Sequence, residues 1–146
     1  MTETHAKTPW HVWAVGTAAV LFNAIGAFDY VMSKMQGAAY MESAGMTATQ
    51  IAFMAEYPLW MNIVWPTGVW TAFIGSVLIL MRRKAAFPLF AVSLVAFLTS
   101  LFYSYVLTTG AEIMGPSINA VNAVITAELV ALLWYARTQT HRGVLR

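Results

Sequence analysis

Long apolar blocks separated by short polar ones run the length of this chain of 146 residues. The blocks at about 10–32, 59–81, 87–108 and 117–136 are each long enough to cross a hydrocarbon core, which takes roughly 20 helical residues at about 1.5 Å apiece. They predict an all-α fold, a single integral-membrane four-helix bundle over residues 1–146. The first block is too long for the apolar region of a typical cleaved signal peptide and reads as a retained helix. Ser33 to Tyr57, between the first two blocks, is polar and rich in small residues. Within it Thr47 and Gln50 stand at capping-box spacing, with Ile51, Phe53 and Met54 following. That pattern predicts a short helix over about 48–56, lying on the membrane surface or over the mouth of the bundle. Pro58 and Pro88 suit the starts of the second and third spans, whereas Pro66 falls inside the second. It should kink that helix and free a carbonyl near Asn62. Gly110 to Pro116 reads as a turn.

Composition supports a membrane protein over a soluble domain. Hydrophobic residues make up 60% of the chain and charged ones only 10%, where soluble domains run near 25% charged. There is no cysteine, which excludes disulfides, thiol catalysis and Cys-ligated metals. His5, His11 and His141 lie at the ends of the chain, which disfavours a buried bis-histidine haem. No nucleophile–base pair, metal cluster or phosphate loop stands out. Enzyme chemistry, a metal, a cofactor and a nucleic-acid partner are therefore not expected. The placement of charge sets the orientation. Arg82, Arg83 and Lys84 share one side with Lys7, Arg137, Arg142 and Arg146, while Lys34, Glu42, Glu56 and Glu112 lie on the other. Cytoplasmic loops carry the excess of Lys and Arg, so both termini are expected in the cytoplasm.

Sorting the polar residues by depth adds a gradient. The half of each span remote from the termini holds Asp29, then Asn62, Trp65 and Thr67, then Tyr103, Ser104 and Tyr105, then Asn119 and Asn122. Asn23, Thr99, Ser100, Thr126 and Glu128 fall near the midplane. The halves nearer the termini, such as Phe73 to Leu80 and Leu129 to Trp134, are almost wholly apolar. Polar groups in lipid need partners or water, so the gradient predicts a cavity open to the outside that narrows at mid-membrane. Ala96, Thr99, Ser100, Tyr103 and Ser104 fall on one helical face, as do Asn119, Asn122 and Thr126. Glu128 follows Asn119 by nine positions, about 900° of rotation, and so points the opposite way. It is expected to face another helix or another subunit, carrying a proton or pairing subunits. A polar group such as Asn23 or Ser100 is the natural partner. If its role is structural, glutamine should preserve assembly there and leucine should weaken it. Gly16, Ala19, Asn23 and Gly26 form a small-residue stripe on the first span, and Gly68, Ala72 and Ser76 form one on the second. Such stripes let helices approach closely.

The stretches Asn23-Ala-Ile-Gly-Ala-Phe-Asp-Tyr30, Gly68-Val-Trp70 with Gly75-Ser76, and Tyr135-Ala-Arg137 with Arg142-Gly-Val-Leu-Arg146 carry a family resemblance. The chain resembles a group of short four-span bacterial inner-membrane proteins labelled as sugar transporters. The resemblance implies the bacterial cytoplasmic membrane and a small polar solute, and it supplies no site residues. Taken with the gradient, it suggests an oligomeric carrier or binder of a small polar solute such as a sugar. Asn23, Asp29, Asn62, Trp65, Tyr103, Asn119 and Asn122 are then the candidate ligand residues. The asparagines also read as interhelical hydrogen bonds, Trp65 as packing, and Trp10, Trp13, Trp60 and Trp134 as interface anchors. A second reading makes the chain an accessory or assembly subunit of a larger membrane complex, docked through the small-residue stripes and Glu128. A quinone or lipid pocket is a third.

Overall fold

The computed structural model describes residues 7–146; His5 and the rest of the first six residues lie outside the described residues. The described chain is all helical, and four of its helices are long and apolar enough to cross a membrane. Those are α1 (Trp10–Gln36), α4 (Leu59–Leu80), α5 (Ala86–Phe102, continued by a π-helical turn over Tyr103–Leu107) and α7 (Ser117–His141). Short helices α2 (Ala38–Ser43), α3 (Ala48–Ala55) and α6 (Gly110–Met114) fill the connections at the end remote from the termini.

Several boundaries differ from the sequence expectation for a local reason. The first helix continues four residues past 32, until Gly37 takes φ 58° and its N–H caps Ser33 O. Only a residue without a Cβ adopts that conformation without strain. The same glycine starts α2, so the loop holds two short helices where one was expected. At α3 the capping box forms in full, with Thr47 Oγ1 accepting from the Gln50 N–H and Gln50 Oε1 accepting from the Thr47 N–H. The segment expected as a turn, 110–116, contains the single helical turn α6. The fourth span runs five residues beyond 136, to His141. The helix α4 passes through Pro66, with the Thr67 hydroxyl donating to Ile63 O at 2.7 Å one turn back.

Packing runs around three sides of the bundle and stops at the fourth. Helix α1 packs along α4, α4 along α5, and α5 along α7, with no comparable packing between α7 and α1. In the half nearer the termini the interior is filled. Val12, Ala19, Ile79, Phe90, Leu132 and Ala136 belong to one buried cluster there. Two close approaches set its spacing: a Cβ at Gly16 would lie 2.5 Å from Leu80 Cδ2, and one at Gly75 would lie 3.2 Å from the Phe90 ring. Dispersion contacts of this kind, rather than exclusion from water, hold helices together in lipid. The chain end joins the same cluster. Gly143 takes φ 70°, and the backbone returns so that Arg146 N donates to Arg82 O at 2.8 Å and Lys84 N to Arg146 O at 3.0 Å. That return buries Val144 and Leu145 beneath a segment that reads from sequence as merely basic.

Candidate ligand cavity between the long helices

The filled half ends at Asn23, and above it the helices enclose a cavity of about 1050 Å³. Its geometry follows from small residues placed where a larger side chain would close it. On α1, Gly26 lines the cavity, and a Cβ there would meet nothing within 4 Å. The small-residue stripe of α1 therefore divides: Gly16 and Ala19 are buried in packing, and Gly26 opens space. On α4 and α5, Gly68 and Ala96 touch across the cavity wall, with 3.4 Å between the Ala96 Cβ and the position of a Gly68 Cβ.

The sequence predicted an opening toward the side remote from the termini, but α2 and α3 roof that end. Met41, Met46, Gln50 and Met54 all line the cavity from above. Gln50 anchors the roof by donating from Nε2 to the carbonyls of Ile113 (3.3 Å) and Met114 (3.1 Å). The open direction is sideways, through the unpacked seam between α1 and α7. Phe22, Ile25 and Phe28 on α1, with Val121 and Val124 on α7, both line the cavity and stand exposed.

At the floor Asn23 lines the cavity and ties it to a polar cluster behind the wall, in which Ser76 and Glu128 are not themselves lining residues. Asn23 Nδ2 donates to Glu128 Oε1 (2.8 Å), Ala19 O (3.0 Å) and Ser76 Oγ (3.1 Å). Ser76 in turn donates to Ala72 O at 2.8 Å. The opposed phase of Glu128 relative to Asn119 thus turns it onto α1 within the same chain. Its second oxygen, Oε2, is buried and has no hydrogen-bond partner among the described residues. Closer to the termini the seam is tied once more, where His11 Nδ1 meets the Tyr135 hydroxyl at 2.6 Å.

The other expected ligand residues divide into separate groups. Asp29 lines the cavity and accepts from the Tyr40 hydroxyl of α2 at 3.0 Å; that bond pushes the Tyr40 phenol up from its ordinary range. Trp65 also lines it, edge-to-face with Tyr30 at 5.0 Å and beneath the Lys34 ammonium at 5.5 Å. Asn62 is off the wall. It accepts from Lys34 Nζ at 2.9 Å and donates to Tyr57 O and Pro58 O, which engages its amide group within the chain. Tyr103 is off the wall too, because the π-helical turn swings it into a cluster with Phe53, Tyr57 and Trp60. Burial there, with Tyr103 adjacent, pushes the Tyr57 phenol up to about 12, so it remains neutral. Asn122 lines the cavity and donates to the Tyr105 hydroxyl, which itself donates to Asn119. Asn119 faces a shallower hollow of about 410 Å³ beside Glu112. On α5 and its π-helical continuation the polar face is realised by Ser93, Ser100 and Ser104, while Thr99 is half-buried off the wall and donates back to Val95 O.

Lys34, Tyr105 and the roof of α2 were missed as site elements. The Thr47–Gln50 capping box placed one short helix on the membrane surface or over the mouth of the bundle; for α2 the sequence offers only Gly37 and Gly45 as punctuation. Among the described residues, no group of three or more His, Asp or Glu side chains could hold a metal ion.

The fold and cavity define a class: a multi-pass α-helical membrane protein with a laterally open cavity in one half of its span. No protein-family model matches the chain, and no curated protein or solved structure matches it.

Proposed function

We propose that the chain is a binder or carrier that holds a small molecule within the bilayer, in the cavity between α1 and α7. The observation that carries this reading is the cavity itself. At about 1050 Å³ it lies just above the roughly 300–1,000 Å³ typical of small-molecule sites. In the filled half, by contrast, large side chains such as Phe90 and Ile79 occupy the interior. The polar inventory favours an apolar body over a sugar. A sugar needs a donor or acceptor for each hydroxyl, yet Ser93 is engaged with Gly68 O, Ser100 with Ala96 O, and Gln50 with the α6 carbonyls. The unengaged acceptors on the wall are few: Asn23 Oδ1 at the floor, with spare lone pairs on Asp29 and Asn122 nearer the roof. A largely apolar molecule with one or two polar groups fits that distribution, and the seam supplies its route from lipid.

Filling the cavity tests the reading. Gly26→Phe projects a ring into open space and replaces a poor helix former by a better one, so the fold should persist. Wild-type protein released from nanodiscs into a native mass spectrometer is expected to carry a bound small molecule that Gly26→Phe lacks. Equal spectra for the two proteins overturn the assignment.

We infer that the termini lie on the cytoplasmic side from the basic residues at 82–84 and 137–146, and take the bacterial cytoplasmic membrane only from the family resemblance. The chain has no cysteine, so single introduced thiols report cleanly. Ser43→Cys and His141→Cys avoid the left-handed glycines at 45 and 143. An impermeant maleimide added to intact cells should label position 43 and spare 141; the reverse pattern overturns the orientation.

A further inference from the structure

We infer that the cavity accepts uncharged apolar molecules of differing shape, and that a methionine lining in its upper half gives it this breadth. This rests on the binding role proposed above and names the range of its ligands.

The placement of methionine carries the inference. Met41 on α2, Met46 in the connection after it, Met54 on α3, Met61 on α4 and Met114 on α6 all line the cavity. The chain has nine methionines, and these five reach one space from five separate segments. The ordinary use of methionine is to fill irregular gaps in a packed core. The packed cluster nearer the termini contains none among the described residues, and is built from alanine, branched aliphatic and aromatic side chains. The five thioethers therefore stand where space is left open. Methionine is unbranched and has three rotatable side-chain bonds, so its tip can turn onto ligands of differing outline. A β-branched side chain offers one fixed surface instead. The backbone behind the lining is pinned, through Gln50 to the Ile113 and Met114 carbonyls and through Tyr40 to Asp29. Adaptation is thereby left to the side chains.

The polar groups on the wall impose no single orientation. A selective pocket fixes its ligand with a few convergent polar groups. Here Asp29 follows Asn23 by six positions on α1, about 9 Å along the helix axis, and Asn122 stands on α7. Charge is discouraged in two ways. No lysine, arginine or histidine lines the cavity, so an anion finds no counter-charge there. The way in is an exposed apolar slot of Phe22, Ile25, Phe28, Val121 and Val124, where a charged group would have to shed its water. Uncharged molecules already dissolved in lipid meet neither barrier.

The test is photolabelling of protein in nanodiscs with trifluoromethylphenyldiazirine, an uncharged probe, read by peptide mass spectrometry at Met61. That residue lines the cavity and is 2% exposed, so its labelling reports the cavity apart from the lipid-facing surface. Pyrene, diphenylhexatriene and adamantane (a disc, a rod and a ball) serve as competitors, with concentrations expressed per lipid. Their half-displacing concentrations on the wild type are expected to agree within about tenfold, and pyrenecarboxylate should be at least about tenfold weaker than pyrene. Replacing Met41, Met54 and Met114 together by isoleucine, which is stiff at χ1, should widen the spread among the three shapes to about a hundredfold. If that variant does not fold, the volume-conserving leucine triple makes the same comparison. A hundredfold spread on the wild type, or an unchanged spread in the triple variant, overturns the methionine inference while the cavity reading stands. Equal displacement by pyrenecarboxylate and pyrene overturns the restriction to uncharged ligands. Gly26→Phe should abolish labelling at Met61; if it leaves that labelling untouched, the inference and the cavity reading are both overturned.

Discussion

Gly16→Val is expected to destabilise the bundle by about 2–3 kcal/mol, or to prevent α1 from docking on α4 at all. Gly16 is buried where the two helices come closest, and even one added carbon would stand 2.5 Å from Leu80 Cδ2 and 2.9 Å from its Cγ. The leucine tip could swing aside, but Ile79 Cγ2 at 3.2 Å belongs to a fully buried side chain with no room to follow. Valine adds branches in both directions, so the helices must separate. Separation also stretches the Asn23–Ser76 bond two turns farther along. Unfolding in mixed micelles with increasing dodecyl sulfate measures the loss, and wild-type stability would sink the argument. The comparison with Gly26→Phe sharpens it. Both replacements enlarge a glycine on the same helix, and only the one facing α4 should disturb the fold.

Glu128→Leu should have two effects of opposite kind. A charged residue at the centre of a span costs about 2.5–3.5 kcal/mol on insertion scales, and leucine is favourable there, so isolated α7 should insert more readily by about 3 kcal/mol. Folding of the bundle should change by less than about 1 kcal/mol, because interhelical hydrogen bonds in membranes average about 0.6 kcal/mol. This revises the sequence expectation that leucine weakens assembly. The reason is specific: Asn23 Nδ2 keeps Ala19 O and Ser76 Oγ after Glu128 is gone, and the substitution removes a buried oxygen that has no partner. A glycosylation-mapped insertion assay reads the first effect and micelle unfolding the second. A loss of folding stability above about 2 kcal/mol would instead make Glu128 a structural residue.

Much of this architecture is legible before any coordinates. Span lengths follow from unbroken apolar runs, because backbone polar groups in lipid are satisfied within a helix and the run must match the hydrocarbon thickness. The α3 start follows from Thr47 and Gln50, because a capping box is a local hydrogen-bond exchange. Depth is also readable, since helices alternate direction. The polar half of that gradient is the half that contains the cavity, and the apolar half is the one packed solid.

The remainder depended on which helix meets which. Phase arithmetic turned Glu128 away from Asn119, but only the adjacency of α7 and α1 gave it Asn23 as a partner. Four spans can close into a ring in more than one way, and the sequence contains no mark for the seam that stays unpacked. Nor could it separate Gly16 from Gly26, which share a stripe; one faces α4 and the other faces space because the cavity begins between them. Asn62 and Tyr103 left the wall for partners distant in sequence, Lys34 and Trp60 respectively. Periodicity along one helix determines which residues share a face. Whether that face meets lipid, a neighbouring helix or a cavity depends on helices elsewhere in the chain, and local sequence carries no record of their positions.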